Sequence, residues 1–206
     1  MAAALGGYLP PAGTRIGLLG GSFNPAHDGH RHISLEAVKR LGLHEVWWLV
    51  SPQNPLKPST GMAPLTARLK QARAVARDRR IRVTGLEAQL GVQFTADTAR
   101  ALRRRFPGVR FVWLMGADNL VQISDWRDWP EIFNSLVIAV FDRPSYSLRA
   151  GSAKAAVLFG RWRVPERQAR RLADMEPPAW TFLHLRLNAQ SATRIRAQRG
   201  FGRPAE

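Results

Sequence analysis

The chain contains no cysteine. That excludes a disulfide framework, thiolate metal ligation and a cysteine nucleophile. It fits a reducing compartment, and the expected location is cytoplasmic. No stretch approaches the roughly 18 apolar residues of a membrane-spanning helix, so no membrane partner is expected. Residues 1–13 lack the basic start and long apolar centre of a secretory signal. They read as a flexible extension ahead of a single domain at 14–206. Acidic residues are scarce: 15 Asp and Glu stand against 31 Lys and Arg, for a net charge of +16. Such an imbalance raises nucleic-acid binding as a reading. The basic residues come in groups, at Arg68 to Arg82, Arg100 to Arg110, Arg161 to Arg171 and Arg186 to Arg203. The first two groups lie on helix-like stretches, where arginines would form a solvated face. Nucleic acid is therefore not expected as the partner. A positive field would instead speed the arrival of polyanionic nucleotides.

What is present is enough for a domain. The chain has 206 residues, of which 45% are hydrophobic, which allows a sizeable core. It is organised around Gly20-Gly21-Ser22-Phe23-Asn24-Pro25-Ala26-His27-Asp28-Gly29-His30. The apolar run Ile16 to Leu19 leads in as a buried strand. Paired glycines let the backbone turn and approach a ligand closely. Pro25 and Asp28-Gly29 continue the turn. From Gly29 the pattern is helical, with Ile33, Ala37, Val38 and Leu41 on one face. The spacing thus predicts two imidazoles, His27 and His30, at a glycine-rich strand-to-helix turn. A helix start offers free N–H groups and partial positive charge, which suits a phosphate. Imidazoles there can stabilise charge that builds during phosphoryl or nucleotidyl transfer. A turn with two surface histidines is the plainer reading. His27, His30 and His32 could also form a metal site. With no Cys and no carboxylate placed as a third helical ligand, zinc ranks low and no metal ligand is expected.

Further strands are predicted at His44 to Ser51, Ile81 to Leu86, Val109 to Met115, Ser135 to Phe141 and Trp180 to Leu185. Helices are predicted at Ala63 to Arg77 and from Thr95 to Arg105. Trp47 and Trp48 read as core. The proline-rich loop Ser51 to Pro58 follows the second strand, on the edge where parallel sheets bind ligands. Lys57 there could meet a phosphate, or be a solvated loop lysine. Thr95 reads as a helix N-cap, a ligand contact, or both. Asp118 follows Gly116 just past a strand, where a carboxylate can accept ribose hydroxyls or simply cap a helix. Trp126, among Ser, Asp and Arg, reads as a lip, a stacking surface for an aromatic ring. Residues 145–176 carry no readable motif. Ser191 reads as an N-cap. With Thr193 and Arg196 it would make a second anion site.

The segment Gly21 to His30 resembles the GxFxPxHxGH signature of the nucleotidyltransferase superfamily. Most of the chain, about Arg15 to Arg196, is similar to the bacterial nicotinate-nucleotide adenylyltransferase family. The likeness rests also on Asn54-Pro55-Leu56-Lys57, Phe94-Thr95-Ala96-Asp97-Thr98, Gly116 and Asp118 followed by Trp126, and Gln190-Ser191-Ala192-Thr193-Arg194-Ile195-Arg196. Phe94 stands where Tyr is common, Gln190 where an apolar residue is usual, and Arg127 follows Trp126. The usual tail after Arg196 is not seen, so monomer and homo-oligomer both stay open.

The resemblance implies transfer of AMP from ATP to nicotinate mononucleotide, with Mg²⁺ accompanying ATP. By it, His27, His30 and Arg196 are catalytic, acting on the triphosphate and departing pyrophosphate. Gly21, Ser22, Phe23, Gly116, Asp118, Ser191 and Thr193 bind ATP. Asn54, Lys57, Thr95 and Trp126 bind the mononucleotide. The expected fold is α/β: a three-layer Rossmann-like domain with a mainly parallel sheet. The alternatives are a relative acting on nicotinamide mononucleotide or phosphopantetheine, or a non-catalytic basic protein that binds nucleic acid.

Overall fold

Seven strands run parallel in one sheet: β1 (Arg15–Gly21), β2 (Glu45–Val50), β3 (Ile81–Thr84), β4 (Arg110–Gly116), β5 (Val137–Phe141), β6 (Arg163–Val164) and β7 (Trp180–Leu183). Their spatial order is β3-β2-β1-β4-β5-β7-β6. The computed structural model describes residues 8–52, 61–143 and 146–185. Eight helices connect the strands: α1 (Asp28–Leu41), α2 (Leu65–Ala76), α3 (Leu86–Leu90), α4 (Thr95–Arg105), α5 (Ala117–Gln122), α6 (Trp129–Ser135), α7 (Ser147–Gly151) and α8 (Lys154–Leu158), counted among the described residues. A 3-10 stretch at Glu166–Asp174 lies between β6 and β7.

All six residues of β2 and all five of β5 are buried, as their continuous apolar text requires of parallel strands covered on both faces. Alternate side chains enter two cores. One face gathers Ile16, Leu18, Trp47, Trp113, Ala99, Leu102 and Leu120, beneath α4 and α5. The other gathers Leu19, Trp48, Ala37, Leu41, Ala72 and Leu172, beneath α1, α2 and the 3-10 stretch. The arrangement is three layers, helix on sheet on helix.

The strand after β1 in sequence is β2, but β1 also pairs with β4, so the order reverses there. The helices that follow β1 and β4 leave to opposite faces, and this opens a crevice at the carboxyl ends of those two strands. The β1 register places Leu19 opposite Leu114, which brings Gly20 and Gly21 beside the end of β4. Gly20 is required by close approach: a Cβ there would lie 2.7 Å from the Trp113 ring.

Several sequence expectations differ in detail. The third strand stops at Thr84, and Leu86 opens α3 instead of extending the strand. Gly85 breaks the run. Phe94, not Thr95, occupies the N-cap of α4, so Thr95 is its first helical residue. Ahead of β1, Gly13 N–H donates to Gly108 O at 2.7 Å, and Arg82 lies over the Tyr8 ring at 4.0 Å. Residues 145–176, without a readable motif, supply α7, α8, β6 and the 3-10 stretch, and β6 pairs with β7 at the sheet edge.

Candidate active site

The β1–α1 turn delivers both imidazoles to the crevice. His27 is the N-cap of α1, in extended backbone, and Asp28 opens the first turn, where its charge complements the helix dipole. The His27 and His30 rings lie 3.8 Å apart between centroids. The His27 backbone N–H donates to His30 Nδ1 at 3.2 Å. That bond makes Nδ1 the acceptor, so a neutral His30 carries its proton on Nε2. His27 is 6% exposed. Burial, aided by the Arg143 charge, lowers its pKa to about 4, against a weaker upward pull from Asp28. His27 is therefore neutral at pH 7. Its Nδ1 is buried without a hydrogen-bond partner among the described residues.

The turn is braced from behind. Phe23 adopts φ +46°, a left-handed conformation costly for a bulky residue. Its ring is buried, stacked on Trp48 at 5.0 Å and 4.7 Å from His30. Trp48 Nε1 donates to Ser34 Oγ at 2.7 Å, and Ser34 Oγ donates to His30 O at 2.8 Å. Trp48 is thus core, as expected, and also the wall behind the histidines.

The end of β4 forms the opposite lip. Gly116 is the N-cap of α5, and Asp118 lies in its first turn. A Cβ on Gly116 would collide with Asp118 Oδ1, so only glycine leaves that carboxylate in place. Asp118 Oδ2 accepts from Arg143 Nη1, while Oδ1 is buried with no partner among the described residues. Arg143 stands just past β5. Through Asp118, and through its field at His27, it links three strand ends. Sequence reasoning missed it. The available signal was its place at the carboxyl end of a parallel strand.

A second group lies on the α4 face. Thr95 opens α4, and Arg127 sits over the Phe94 ring at 4.7 Å, tying the Trp126 loop to that helix start. Trp126 is half-buried and packs on the core beside α5. Beneath α4, Thr98 Oγ1 donates to the buried Glu87 at 2.9 Å. Burial raises Glu87 to about 7, with the Thr98 hydroxyl opposing.

Arg68 corrects the expectation of a solvated arginine face. It is 1% exposed, and Arg68, Ala72 and Ala76 form the buried stripe of α2. That four-residue spacing was the signal in the sequence. Gly21, Ser22, Phe23, His27 and His30 come together at the β1–α1 turn, with Gly116 and Asp118 on the adjacent strand end. Asn54, Lys57, Ser191, Thr193 and Arg196 lie outside the described residues. No group of three or more His, Cys, Asp or Glu placed to hold a metal occurs among the described residues. No helix there is long and apolar enough to cross a membrane.

A parallel α/β sheet with imidazoles at a helix start on its switch point defines a nucleotidyltransferase-type site. Residues 18–198 match the family model described as cytidylyltransferase-like. A Cereibacter sphaeroides protein named a probable nicotinate-nucleotide adenylyltransferase is 53% identical over 182 residues, covering 88% of this chain and 96% of the relative. A Methylorubrum extorquens protein of the same name is 53% identical over 184 residues, covering 89% of this chain and 100% of the relative. The chain belongs to the nicotinate-nucleotide adenylyltransferase family within the cytidylyltransferase-like group. Its fold is shared by Plasmodium falciparum nicotinic acid mononucleotide adenylyltransferase, solved in complex with NaAD. There the TM-score is 0.68 at 14% identity, over 89% of this chain and 83% of that one.

Proposed function

We propose that the protein transfers AMP from ATP to nicotinate mononucleotide, giving deamido-NAD and pyrophosphate. The observation that carries this reading is the His27–His30 pair at the start of α1, beside Asp118 and Arg143 at the strand ends. A phosphate oxygen of the mononucleotide attacks the α-phosphorus of ATP in line. The bond from that phosphorus to the bridging oxygen breaks, and pyrophosphate leaves with the electron pair. No covalent enzyme intermediate is needed. Catalysis then consists of positioning and charge stabilisation.

The neutral imidazole of His27 and Nε2–H of His30 supply donors to the triphosphate. The α1 dipole favours the same negative charge. Gly21, Ser22 and Phe23 line the adenylyl group. Asp118 receives the adenosine ribose hydroxyls on its unpartnered Oδ1. Arg143, already paired with Asp118, adds a cation to the phosphates. Trp126 stacks on the pyridine ring, and Thr95 meets its carboxylate at the α4 start. Asn54 and Lys57 take the mononucleotide phosphate, and Ser191, Thr193 and Arg196 hold the triphosphate from the far side. No group of three or more His, Asp or Glu among the described residues is placed to hold a metal, which suits Mg²⁺ held mainly by ATP oxygens and water. When bound, the ion would neutralise charge on the phosphates. A cytoplasmic location is part of the same reading, as is the absence of a nucleic-acid partner.

The test is pyrophosphate release from ATP and Mg²⁺, with nicotinate mononucleotide, nicotinamide mononucleotide or phosphopantetheine as acceptor. Release with the nicotinate acceptor is expected. It should fall by about 10²-fold or more in His30→Ala, the scale for losing one stabilising donor. Preference for another acceptor would overturn the ring-site assignment. No release from folded protein would overturn the reading.

A further inference from the structure

Arg68 has four hydrogen bonds and no ionic partner among the described residues. Its Nε donates to Ala63 O at 2.8 Å. Its Nη1 donates to Ser22 O and Ser51 O, both at 2.7 Å. Its Nη2 donates to Pro52 O at 2.8 Å. A buried guanidinium is expensive unless its donors are satisfied. Burial lowers the Arg68 pKa, yet a guanidinium stays protonated, and no ion pair among the described residues offsets its charge. The acceptors belong to three separate segments: the β1–α1 turn, the end of the β2 strand and the entry to α2. Pro52 directly precedes, in sequence, the stretch that carries Asn54 and Lys57.

The Ser22 contact has a directional consequence. The Ser22–Phe23 peptide is trans, so its C=O and N–H point in opposite directions. With the carbonyl held on Arg68, the Phe23 N–H points away from it. Phe23 is the residue held at positive φ, and its ring supports His30. Asn24 adds a second tie between the same segments, with Nδ2 donating to Gly61 O at 3.1 Å and Oδ1 accepting from Ala63 N–H at 3.4 Å.

We propose that Arg68 is a positioning residue for nucleotide binding: from inside the protein it clamps the β1–α1 turn to the end of β2, aims the Phe23 amide outward, and places an unbalanced positive charge beneath the phosphates. The proposal rests on the reading of this turn as the ATP site. A lysine keeps the charge but has one nitrogen, which cannot span acceptors fixed by a planar fork. Asn24 maintains the segment contact when Arg68 is changed, so the variants are expected to fold.

The experiment measures ATP–Mg²⁺ affinity by calorimetry, and kcat and KM by pyrophosphate release, for wild type, Arg68→Lys and Arg68→Ala. Melting curves accompany each. ATP affinity needs no acceptor, so the result stands apart from the choice of mononucleotide. Expected is a loss of about tenfold or more in ATP affinity for both variants, the scale of one or two charge-assisted hydrogen bonds. Millimolar ethylguanidinium should restore part of the affinity of Arg68→Ala and none of that of wild type. A structural role alone predicts lower melting temperatures with unchanged affinity per folded molecule, and that result overturns the proposal. So does failure of both variants to fold. Wild type that binds ATP tightly but releases no pyrophosphate with any acceptor would count against the proposed reaction and leave the Arg68 comparison valid.

Discussion

Replacing His27 with asparagine should change the slope of stability against pH, and replacing Glu87 with glutamine should change it in the opposite sense. His27 has a folded pKa of about 4 against an ordinary 6.5. Between those values the unfolded chain binds a proton that the folded chain refuses. Its contribution is present above pH 6.5 and is lost as pH falls toward 4. Glu87 titrates at about 7 in the fold against an ordinary 4.5. Its contribution is present below 4.5 and is lost as pH rises through 7. Each amounts to about 3 kcal/mol across its window, from about 1.4 kcal/mol per pH unit. Between pH 4.5 and 6.5 the two slopes oppose and nearly cancel. The carboxyls of Asp78, Glu166 and Asp174 are all held below their ordinary values. They therefore act mainly below this window. Wild-type stability should be flat there. His27→Asn should leave stability falling with rising pH by about 1 kcal/mol per unit. Glu87→Gln should leave it rising by a similar amount. Urea unfolding at pH 4.5, 5.5 and 6.5, followed by circular dichroism, reads both slopes. Parallel curves for wild type and both variants would refute the reasoning.

Three further outcomes follow from the same contacts. Arg143→Leu should raise the pKa of His27, because the Arg143 cation now helps depress it; an NMR titration of the His27 ring reads the shift, and an unmoved value would remove Arg143 from the site. Gly116→Ala should raise the KM for ATP about tenfold, since the new methyl displaces the Asp118 carboxylate and forfeits a charged hydrogen bond; unchanged ATP kinetics would show that Asp118 does not contact the nucleotide. Gly20→Ala should cost about 1–3 kcal/mol by overpacking against Trp113; a melting temperature equal to wild type would mean that the indole yields freely.

The elements that were legible in the sequence are those whose cause is local. The apolar runs of β1, β2, β4 and β5 announce buried strands, because a parallel strand covered on both faces tolerates little else. The pairing of Gly20 and Gly21 with His27 and His30 announces a turn that feeds a helix start. The short helices α3 and α8 were not legible. Five residues show less than two turns of periodicity, so their form depends on what packs against them.

The site divides along the same line. The sequence by itself determined the chemistry available at the β1–α1 turn: two imidazoles at a helix N-terminus, with glycines that admit a ligand. It also determined the parallel character of the sheet, through the strand pattern. Only the tertiary structure decided which distant residues meet. It placed Arg143 against Asp118, buried Arg68 beneath Ser22 and Ser51, and enclosed Glu87 under Thr98. The physical reason is that a turn or strand is specified by the torsions and burial of neighbouring residues. Ionisation and hydrogen-bond partnership instead depend on the strand order, which brings segments far apart in the chain to one edge of the sheet.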